Sequence, residues 1–343
     1  MDKKALLKLL DNVQEHGEET EEGQRILLID GLNLFFRNFA MLNMVNPSGV
    51  HVGGLGGFLR SLGALIRQIN PNSVYVVFDG AGSSHNRKNL LPEYKSGRNI
   101  TRITNWEIFE NLEDEEDAKI DQIVRVIHYL KTLPLKTVII DKVEADDIIA
   151  YLGSVLPKSP KDKIFIVSSD KDFIQLVNEN VIVFRPTEKE FYTNETVKEK
   201  FGMPAQNFIL YKTLLGDSSD KVKGVKGLGD KGLLKRFPEL STQILTLEDI
   251  FKISETKLKE HVVYARILND MESIEKNYKV MDLSNPMMDE KDKNYLNNII
   301  NSNDIKFLPE QFMAMYHEDS LGGIIRNVEF WITDIFKNLV IKK

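Results

Sequence analysis

Nine acidic residues in five short groups are the strongest candidates for chemistry in this sequence. Three of the groups follow runs of apolar, β-branched residues, and a fourth opens the segment VEADDIIAYL. Cys is absent and the six His are scattered, so a metal site would use oxygen ligands, which suit Mg²⁺ or Mn²⁺. The nine residues are Asp30, Asp79, Glu144, Asp146, Asp147, Asp170, Asp172, Asp217 and Asp220.

Nine carboxylates packed together would repel each other strongly, and many would have to be protonated. Divalent cations relieve this repulsion, and one Mg²⁺ ion that keeps several waters would not use nine acids. We therefore expect two metal positions. Two such ions activate water and stabilise the charges of phosphodiester cleavage, so no protein nucleophile is required. The alternative is that the acids are surface groups unrelated in space.

The spacing within the groups indicates which acids act together. At the start of a helix, Glu144 and Asp147 share a face, whereas Asp146 points about 100° away. Asp170 and Asp172 project to the same side if the chain is extended there. The last pair, in LLGDSSDKV, faces one way if that segment forms a helical turn.

Apolar runs over residues 26–30, 74–79, 137–141 and 163–170 predict buried parallel strands, and a fifth over 181–186 extends the sheet. The stretches between them are long enough for helices, which predicts an α/β fold with three layers and a mostly parallel sheet. Ligands of open α/β sheets bind outside the carboxyl ends of the strands. The acids at these ends should therefore meet in one crevice.

The segment between the second and third predicted strands is too long for a tight connection. It begins with the basic stretch HNRKNLLPEYKSGRNITR, turns acidic from Glu107 to Asp117, and continues into an amphipathic helix, IDQIVRVIHYLKTL. Residues 2–22 predict a surface amphipathic helix followed by an acidic linker. After about residue 200 the pattern is helical, without a clear strand.

The stretch GDSSDKVKGVKGLGDKGL, from Gly216 to Leu233, predicts a phosphate-binding turn. It contains GxGxxG, but no apolar strand precedes it and no GK[ST] occurs, which argues against dinucleotide and P-loop sites. Two helices joined by a tight turn over residues 224–229 would present backbone amides and lysines to DNA phosphates without reading the base sequence. The alternative is a solvated Lys-rich loop.

Together these motifs resemble the 5′-3′ exonuclease and flap endonuclease family, over roughly residues 25–240. The glycine-rich stretch is similar to that family's helix-turn-helix motif, EADD and SSDKD to its central acidic motifs, and FDG with LPEYKSGR to its second acidic motif and arch entry. The N-terminus, the KVEADD context and the helical C-terminal extension resemble the ribonuclease H branch of T-even-type phages.

The resemblance implies roles for individual residues. The first metal would be held by Asp30, Asp79, Glu144 and Asp146, with Asp147 as a further candidate, and the second by Asp170, Asp172, Asp217 and Asp220. Arg87 and Lys95 would stabilise charge on the scissile phosphate. The implied DNA contacts are Lys88, Arg98, Lys221, Lys223, Gly224, Lys226, Gly227, Gly229 and Lys231.

The resemblance also implies a domain organisation. A PIN-like 5′ nuclease domain of the α/β class would span residues 25–200 and carry a helical arch over 85–125. It would follow an N-terminal amphipathic extension, residues 1–24. A helical region, residues 201–343, would contain the helix-turn-helix motif at about 210–240 and a C-terminal extension.

The implied activity is metal-dependent 5′-3′ exonuclease and flap endonuclease cleavage, including ribonuclease H activity, that removes primers during phage-type DNA replication. The implied cofactors are two Mg²⁺ ions, for which Mn²⁺ would substitute, and K⁺ at the glycine turn. The implied partners of this monomer are branched or nicked duplex DNA, RNA–DNA hybrid, and a single-stranded-DNA-binding protein or sliding clamp. A PIN-type ribonuclease and a catalytically inactive, structure-specific DNA-binding protein are the alternatives.

The 343-residue chain has a formal net charge of −6, which taken alone disfavours a nucleic-acid partner. Without the nine proposed metal ligands the remaining charges sum to a positive value, so the acidic total does not count against DNA. No segment has the length and apolarity of a membrane span or signal peptide. We therefore expect a soluble cytoplasmic protein, with its polymerase on a separate chain.

Overall fold

The computed structural model describes residues 23–97 and 102–341. The predicted N-terminal helix over residues 2–22 lies outside the described residues, and so does the predicted DNA contact Arg98.

A six-stranded sheet forms the centre of the protein, in the strand order β3-β2-β1-β4-β5-β6. Strands β1 to β5 run parallel, and β6 pairs with β5 in the antiparallel direction. The five predicted strands are confirmed, whereas β6 was not predicted. The strands are β1 (Arg25–Asp30), β2 (Ser73–Asp79), β3 (Lys136–Ile140), β4 (Lys163–Val167), β5 (Val181–Arg185) and β6 (Glu190–Tyr192).

Helices connect the strands and continue to the end of the described chain. They are α1 (Gly31–Met41), α2 (Gly53–Ile69), α3 (His85–Leu90), α4 (Leu112–Leu130), α5 (Ala145–Val155), α6 (Asn194–Phe201), α7 (Phe208–Leu215), α8 (Asp230–Arg236), α9 (Leu247–Thr256), α10 (Val262–Asn269), α11 (Met271–Met281), α12 (Glu290–Asn301), α13 (Pro309–Glu318) and α14 (Val328–Ile341). None of these helices combines the length and apolarity needed to cross a lipid bilayer.

Both faces of the sheet are buried, which explains why its strands are almost continuously apolar. In β1, Leu27 and Ile29 join the core under α1, α2 and α4. Ile26 and Leu28 point to the opposite face and join the core under α5. This arrangement confirms the predicted three-layer α/β architecture.

The region after residue 200 is not one helical domain, which corrects the predicted boundary. Residues between Met203 and Ile274 enclose an apolar core of their own. Helices α13 and α14 instead return to the sheet, where Phe312 and Trp331 join the core that contains α2. Trp331 packs directly on Gly63 of α2, because a Cβ at that glycine would lie 2.5 Å from the indole ring.

The acidic stretch from Glu107 to Asp117 is also not a loop throughout, because α4 already begins at Leu112. Acids in a first helical turn are stabilised by the helix dipole. One of them, Glu115, is fully buried and accepts hydrogen bonds from the backbone amides of Thr104 and Asn105. Glu115 therefore anchors residues 104 and 105 to α4. The arch over residues 85–125 stays a prediction.

We predict that Glu115→Gln lowers the free energy of unfolding by about 2–4 kcal/mol, because it leaves Lys119 buried beside a neutral group and weakens the hydrogen bonds to residues 104 and 105. Urea unfolding followed by circular dichroism measures this change. The matched control is Glu116→Gln, since Glu116 also pairs with Lys119 but its side chain is 44% exposed. Equal effects of the two substitutions would contradict the anchoring role of Glu115.

Candidate active site

The carboxyl ends of three neighbouring strands bring acids to one cleft. Asp30 is the last residue of β1 and Asp79 is the last residue of β2, while Asp170 follows β4 by three residues. Because β1 lies between β2 and β4, these acids meet where the direction of the crossover connections reverses, which is the ligand-binding position of open α/β sheets. The structure thus places them as the strand ends predict.

Asp30 is held rigidly at the floor of this cleft. One carboxylate oxygen accepts a hydrogen bond from the backbone amide of Asn33 at 3.0 Å, and the other accepts one from the Ser168 hydroxyl at 2.9 Å. Burial raises the pKa of Asp30 to about 7, and the charges of Asp79 and Asp170 add to the increase against these two hydrogen bonds. In the absence of a cation, the floor of the cleft therefore holds protons near neutral pH.

Helix α5 supplies the second set of acids at its first turn. Asp79 fixes this turn by accepting a hydrogen bond from the backbone amide of Ala145 at 2.7 Å. Asp146 points into the cleft, where burial and the charges of Asp170 and Asp30 raise its pKa well above the ordinary value. Glu144 lies on the other side of the turn, as the helical spacing predicts.

Arg87 occupies a buried network rather than the open cleft. Its guanidinium contacts Glu144 at 2.9 Å, pairs with both oxygens of Asp147, and donates to the carbonyl of Val280. Asp147 also accepts a hydrogen bond from the backbone amide of Met287. Asp147 thus has both oxygens occupied by donors of the protein, and Arg87 is 3% exposed. The metal contact of Asp147 and the phosphate contact of Arg87 stay predictions.

Lys95 stands at the edge of the same cleft, where the sequence predicts a catalytic cation. Its ammonium lies 2.9 Å from Glu144, which also accepts a hydrogen bond from the hydroxyl of Tyr94. Burial would lower the pKa of Lys95, but the charges of Glu144 and Asp146 outweigh burial and raise it. The backbone amide of Lys95 donates to the carbonyl of Asp220, which ties this residue to the glycine-rich stretch.

Asp170 and Asp172 are neighbours, but not through the extended backbone that we expected. A 3₁₀ turn begins at Asp172, and the backbone amide of this residue donates to the carboxylate of Asp170 at 2.9 Å. Burial raises the pKa of Asp172 to about 7, and the charge of Asp170 raises it further against the opposing effect of Lys212. The cluster of repelling carboxylates therefore continues along this side of the cleft.

Asp217 and Asp220 lie on a β-hairpin rather than on a helical turn. The hairpin consists of β7 (Gly216–Asp217) and β8 (Val222–Lys223). Asp217 caps its turn by accepting hydrogen bonds from Ser219 and Asp220, and it also contacts Lys212. Burial alone would raise the pKa of Asp217, but these partners lower it to about 2.

The donor set fits hard divalent cations by its chemistry, since the groups of the cleft that could ligate a metal are carboxylates. Within the described residues, no three Asp, Glu or His side chains are placed closely enough to ligate one ion without moving. The acids stand instead at wider spacing around the cleft. A Mg²⁺ ion tolerates this arrangement because one or two carboxylates and several waters complete its coordination.

Residues 216–229 of the glycine-rich stretch lie between α7 and α8, and the stretch ends inside α8. The helix-turn-helix motif stays a prediction. The connection is longer than a tight turn, since it contains the hairpin and then residues 224–229. Gly227 adopts φ +83° in this turn, and Arg266 braces it by donating to the carbonyl of Lys226. The predicted DNA contacts Lys88, Lys221, Lys223, Lys226 and Lys231 are all exposed, and Gly224, Gly227 and Gly229 lie among them. The predicted K⁺ ion at this turn stays a prediction.

Three side chains that the sequence analysis did not single out complete the site. Tyr94 and Ser168 hydrogen-bond to acids of the cleft, and Lys212 lies between Asp172 and Asp217. Lys212 left a signal in the sequence, because it interrupts the otherwise apolar helix FILYKTLL. Tyr94 and Ser168 left none, since hydroxyl groups are common in every kind of loop.

The chain matches a family model described as the 5′-3′ exonuclease N-terminal resolvase-like domain, over residues 25–202. A 5′-3′ exonuclease of Buchnera aphidicola is 30% identical over 236 residues, which cover 68% of this chain and 77% of the relative. DNA polymerase I of Bacillus subtilis is 32% identical over 246 residues, which cover 70% of this chain. The match spans only 26% of that polymerase.

Solved structures show the same fold. The D15 protein of bacteriophage T5, co-crystallised with metal ions, has a TM-score of 0.62 and 20% identity, and the alignment covers 92% of this chain and all of D15. D15 flap endonuclease is also known in a complex with DNA and metal ions. Human GEN1 in complex with Holliday junction DNA has a TM-score of 0.54 and 14% identity, covering 93% of this chain and 72% of GEN1.

The raised carboxyl pKa values lead to a prediction about stability. Because the folded metal-free protein holds these protons more tightly than the unfolded chain, the stabilisation from Asp30 is present below about pH 4 and is lost as the pH rises through about 7. The raised pKa of Asp146 acts in the same direction. Asp146→Asn removes one of the repelling charges. We expect the metal-free variant to melt at a higher temperature than the native protein at pH 8, and at a similar temperature at pH 5. Thermal melts in EDTA measure both values.

Asp162→Asn is the matched control with the opposite sign. Burial would raise the pKa of Asp162, but hydrogen bonds from the backbone amides of Lys158, Gln24 and Ser159 lower it. This group therefore stabilises the fold above about pH 4. The control should melt at a lower temperature than the native protein at pH 8. A destabilised Asp146→Asn protein at that pH would show that repulsion does not dominate the cleft.

Proposed function

The chain belongs to the 5′-3′ exonuclease family, and we propose that it is a metal-dependent nuclease acting on 5′ ends and 5′ flaps of branched or nicked duplexes. The proposed substrates include DNA duplexes and RNA–DNA hybrids, so the enzyme would remove RNA primers during replication. The observation that carries this proposal is the cleft in which Asp30, Asp146 and Asp170 repel one another beside Lys95. The metal ions and DNA bound by structural neighbours support it.

Mg²⁺ is the proposed cofactor, with Mn²⁺ as a substitute, in two positions. Asp30, Asp79 and Asp146 would hold one ion, in part through water, and the other would be held by Asp170, Asp172, Asp217 and Asp220. When bound, the ions would supply an activated water and positive charge near the scissile phosphate. Asn33 and Ser168 keep the Asp30 carboxylate oriented toward that position.

Lys95 is the proposed catalytic cation of the chain itself. Its side chain is 18% exposed and carries a positive charge at the rim of the cleft, where a phosphate would approach. Its ammonium donates a hydrogen bond to Glu144, which the Tyr94 hydroxyl also contacts, and it lies 5.0 Å from the centre of the Tyr94 ring. Arg87 is proposed as a positioning residue, since it pairs with Glu144 on the buried side and so fixes the partner of Lys95.

The exposed lysines of the glycine-rich stretch are the proposed duplex-binding surface. Lys226 and Lys231 flank a turn in which Gly227 and Gly229 are exposed, directly before α8. Such contacts to phosphates position a duplex without reading its sequence. The hydrogen bond between the backbones of Lys95 and Asp220 connects this surface to the cleft, so a bound duplex would lie in a fixed position relative to the acids.

We predict that the protein cleaves a labelled duplex with a 5′ flap in the presence of Mg²⁺, and that Asp146→Asn and Asp170→Asn each abolish cleavage. Gel analysis of the products measures the rate and the position of the cut. Asp141→Asn, a change at an exposed acid outside the cleft, is the control and should leave the rate unchanged. An intact flap with the native protein would refute the proposed nuclease. Preferential cutting of single-stranded RNA would favour a PIN-type ribonuclease.

Lys95→Ala should lower the single-turnover cleavage rate by about 100-fold or more, because one preorganised cation at a developing charge contributes on that scale. The dissociation constant for the flap duplex, measured by fluorescence anisotropy in Ca²⁺, should change by less than about threefold. The matched control is Lys88→Ala, since Lys88 is exposed on the neighbouring helix α3. Equal losses of rate and affinity in the Lys95 variant would assign Lys95 to DNA binding alone.

A further inference from the structure

Lys212 is a buried cation inside the acidic cleft for which the proposed chemistry has no use. It is 8% exposed, on a helix whose neighbouring residues Leu210 and Leu214 are fully buried. Its ammonium lies 2.5 Å from Asp172 and also contacts Asp217. Burying a lysine is costly unless its charge is paired, so these two contacts hold the ammonium in its place.

The position of this ammonium is the important feature. Asp172 comes from the turn after β4, whereas Asp217 comes from the hairpin after α7, and Lys212 bridges them. A divalent cation bound by these two carboxylates would occupy the same space between them. The ammonium and that cation therefore exclude each other unless the lysine side chain rotates away. A flexible stem of four carbons permits this rotation.

We propose that Lys212 is a resident counter-ion of the second metal position and that a divalent cation binds there by displacing its ammonium. This inference rests on the proposed metal dependence of the enzyme. At the first metal position, no Lys or Arg of the described residues forms an ion pair with Asp30 or Asp146, and Lys95 pairs with Glu144 instead. DNA-free protein therefore binds one divalent cation tightly and a second one weakly.

DNA strengthens the second metal site under this proposal. The displaced ammonium needs a new anionic partner, and the phosphates of a bound duplex supply one at the cleft. The second metal and DNA then bind cooperatively, and by linkage each raises the affinity for the other by the same factor. The second ion consequently arrives with its substrate.

The test counts bound Mn²⁺ by electron paramagnetic resonance of the free ion, using the full chain without DNA. Native protein should show one tight and one weak site. Lys212→Met keeps the apolar stem and removes the charge, so the affinity of the weak site should rise at least about tenfold. Lys212→Gln, which is also neutral but keeps a hydrogen-bond donor, should raise it in the same direction. Lys257→Met removes a lysine that pairs with Glu239 outside the cleft and should match the native protein.

A second titration repeats the measurement with an uncleavable phosphorothioate flap duplex. DNA should raise the weak-site affinity of the native protein, and this effect should shrink in both Lys212 variants. Circular dichroism establishes that each variant is folded. Unchanged or weaker second-site binding in folded Met and Gln variants would overturn the inference. Absence of any Mn²⁺ binding to the native protein would instead refute the proposed metal dependence itself.

Discussion

Repulsion among carboxylates at one edge of the sheet is the constraint to which the rest of the site responds. Parallel strands deliver Asp30, Asp79 and Asp170 to the same edge, and helix α5 adds Asp146. Among the described residues, the ion pairs of this row lie at its two ends. Lys95 and Arg87 compensate the end at Glu144, and Lys212 compensates the end at Asp172. The middle of the row keeps raised pKa values, and under the proposed function the cations would bind there.

The same ion pairs and the hydrogen bonds beside them connect helix α3, helix α11 and the β7–β8 hairpin to the sheet. Arg87 belongs to helix α3 at the base of the arch, pairs with acids of α5, and donates to a carbonyl of α11. The backbone of Lys95 reaches the hairpin through Asp220. Helix α3 and the hairpin, which would contact DNA under the proposed function, are thus attached to the acids through a few polar contacts. A buried pair of this kind fixes geometry more than it adds stability.

Much of the fold followed from local sequence rules, and what did not follow depends on contacts between distant residues. Continuous apolar runs predicted five strands, and acids at the carboxyl ends of parallel strands predicted the cleft. Glu144 and Asp146 lie on different sides of the first turn of α5, as the helical spacing predicts. The burial of Arg87, the bridging role of Lys212 and the pairing of β6 left weak local signals or none. Each of these three features depends on a contact with a residue that only the folded chain brings close.

The return of α13 and α14 to the sheet has a consequence for how the chain is made. Trp331 and Phe336 complete a core whose other members, such as Phe58 and Leu62, are translated more than 250 residues earlier. Until α14 has left the ribosome, the face of α2 around Gly63 lacks its contact with Trp331. Contacts of such sequence separation slow folding and leave apolar surface exposed in partly made chains. The α2 side of this core is therefore completed only once α14 has been synthesised.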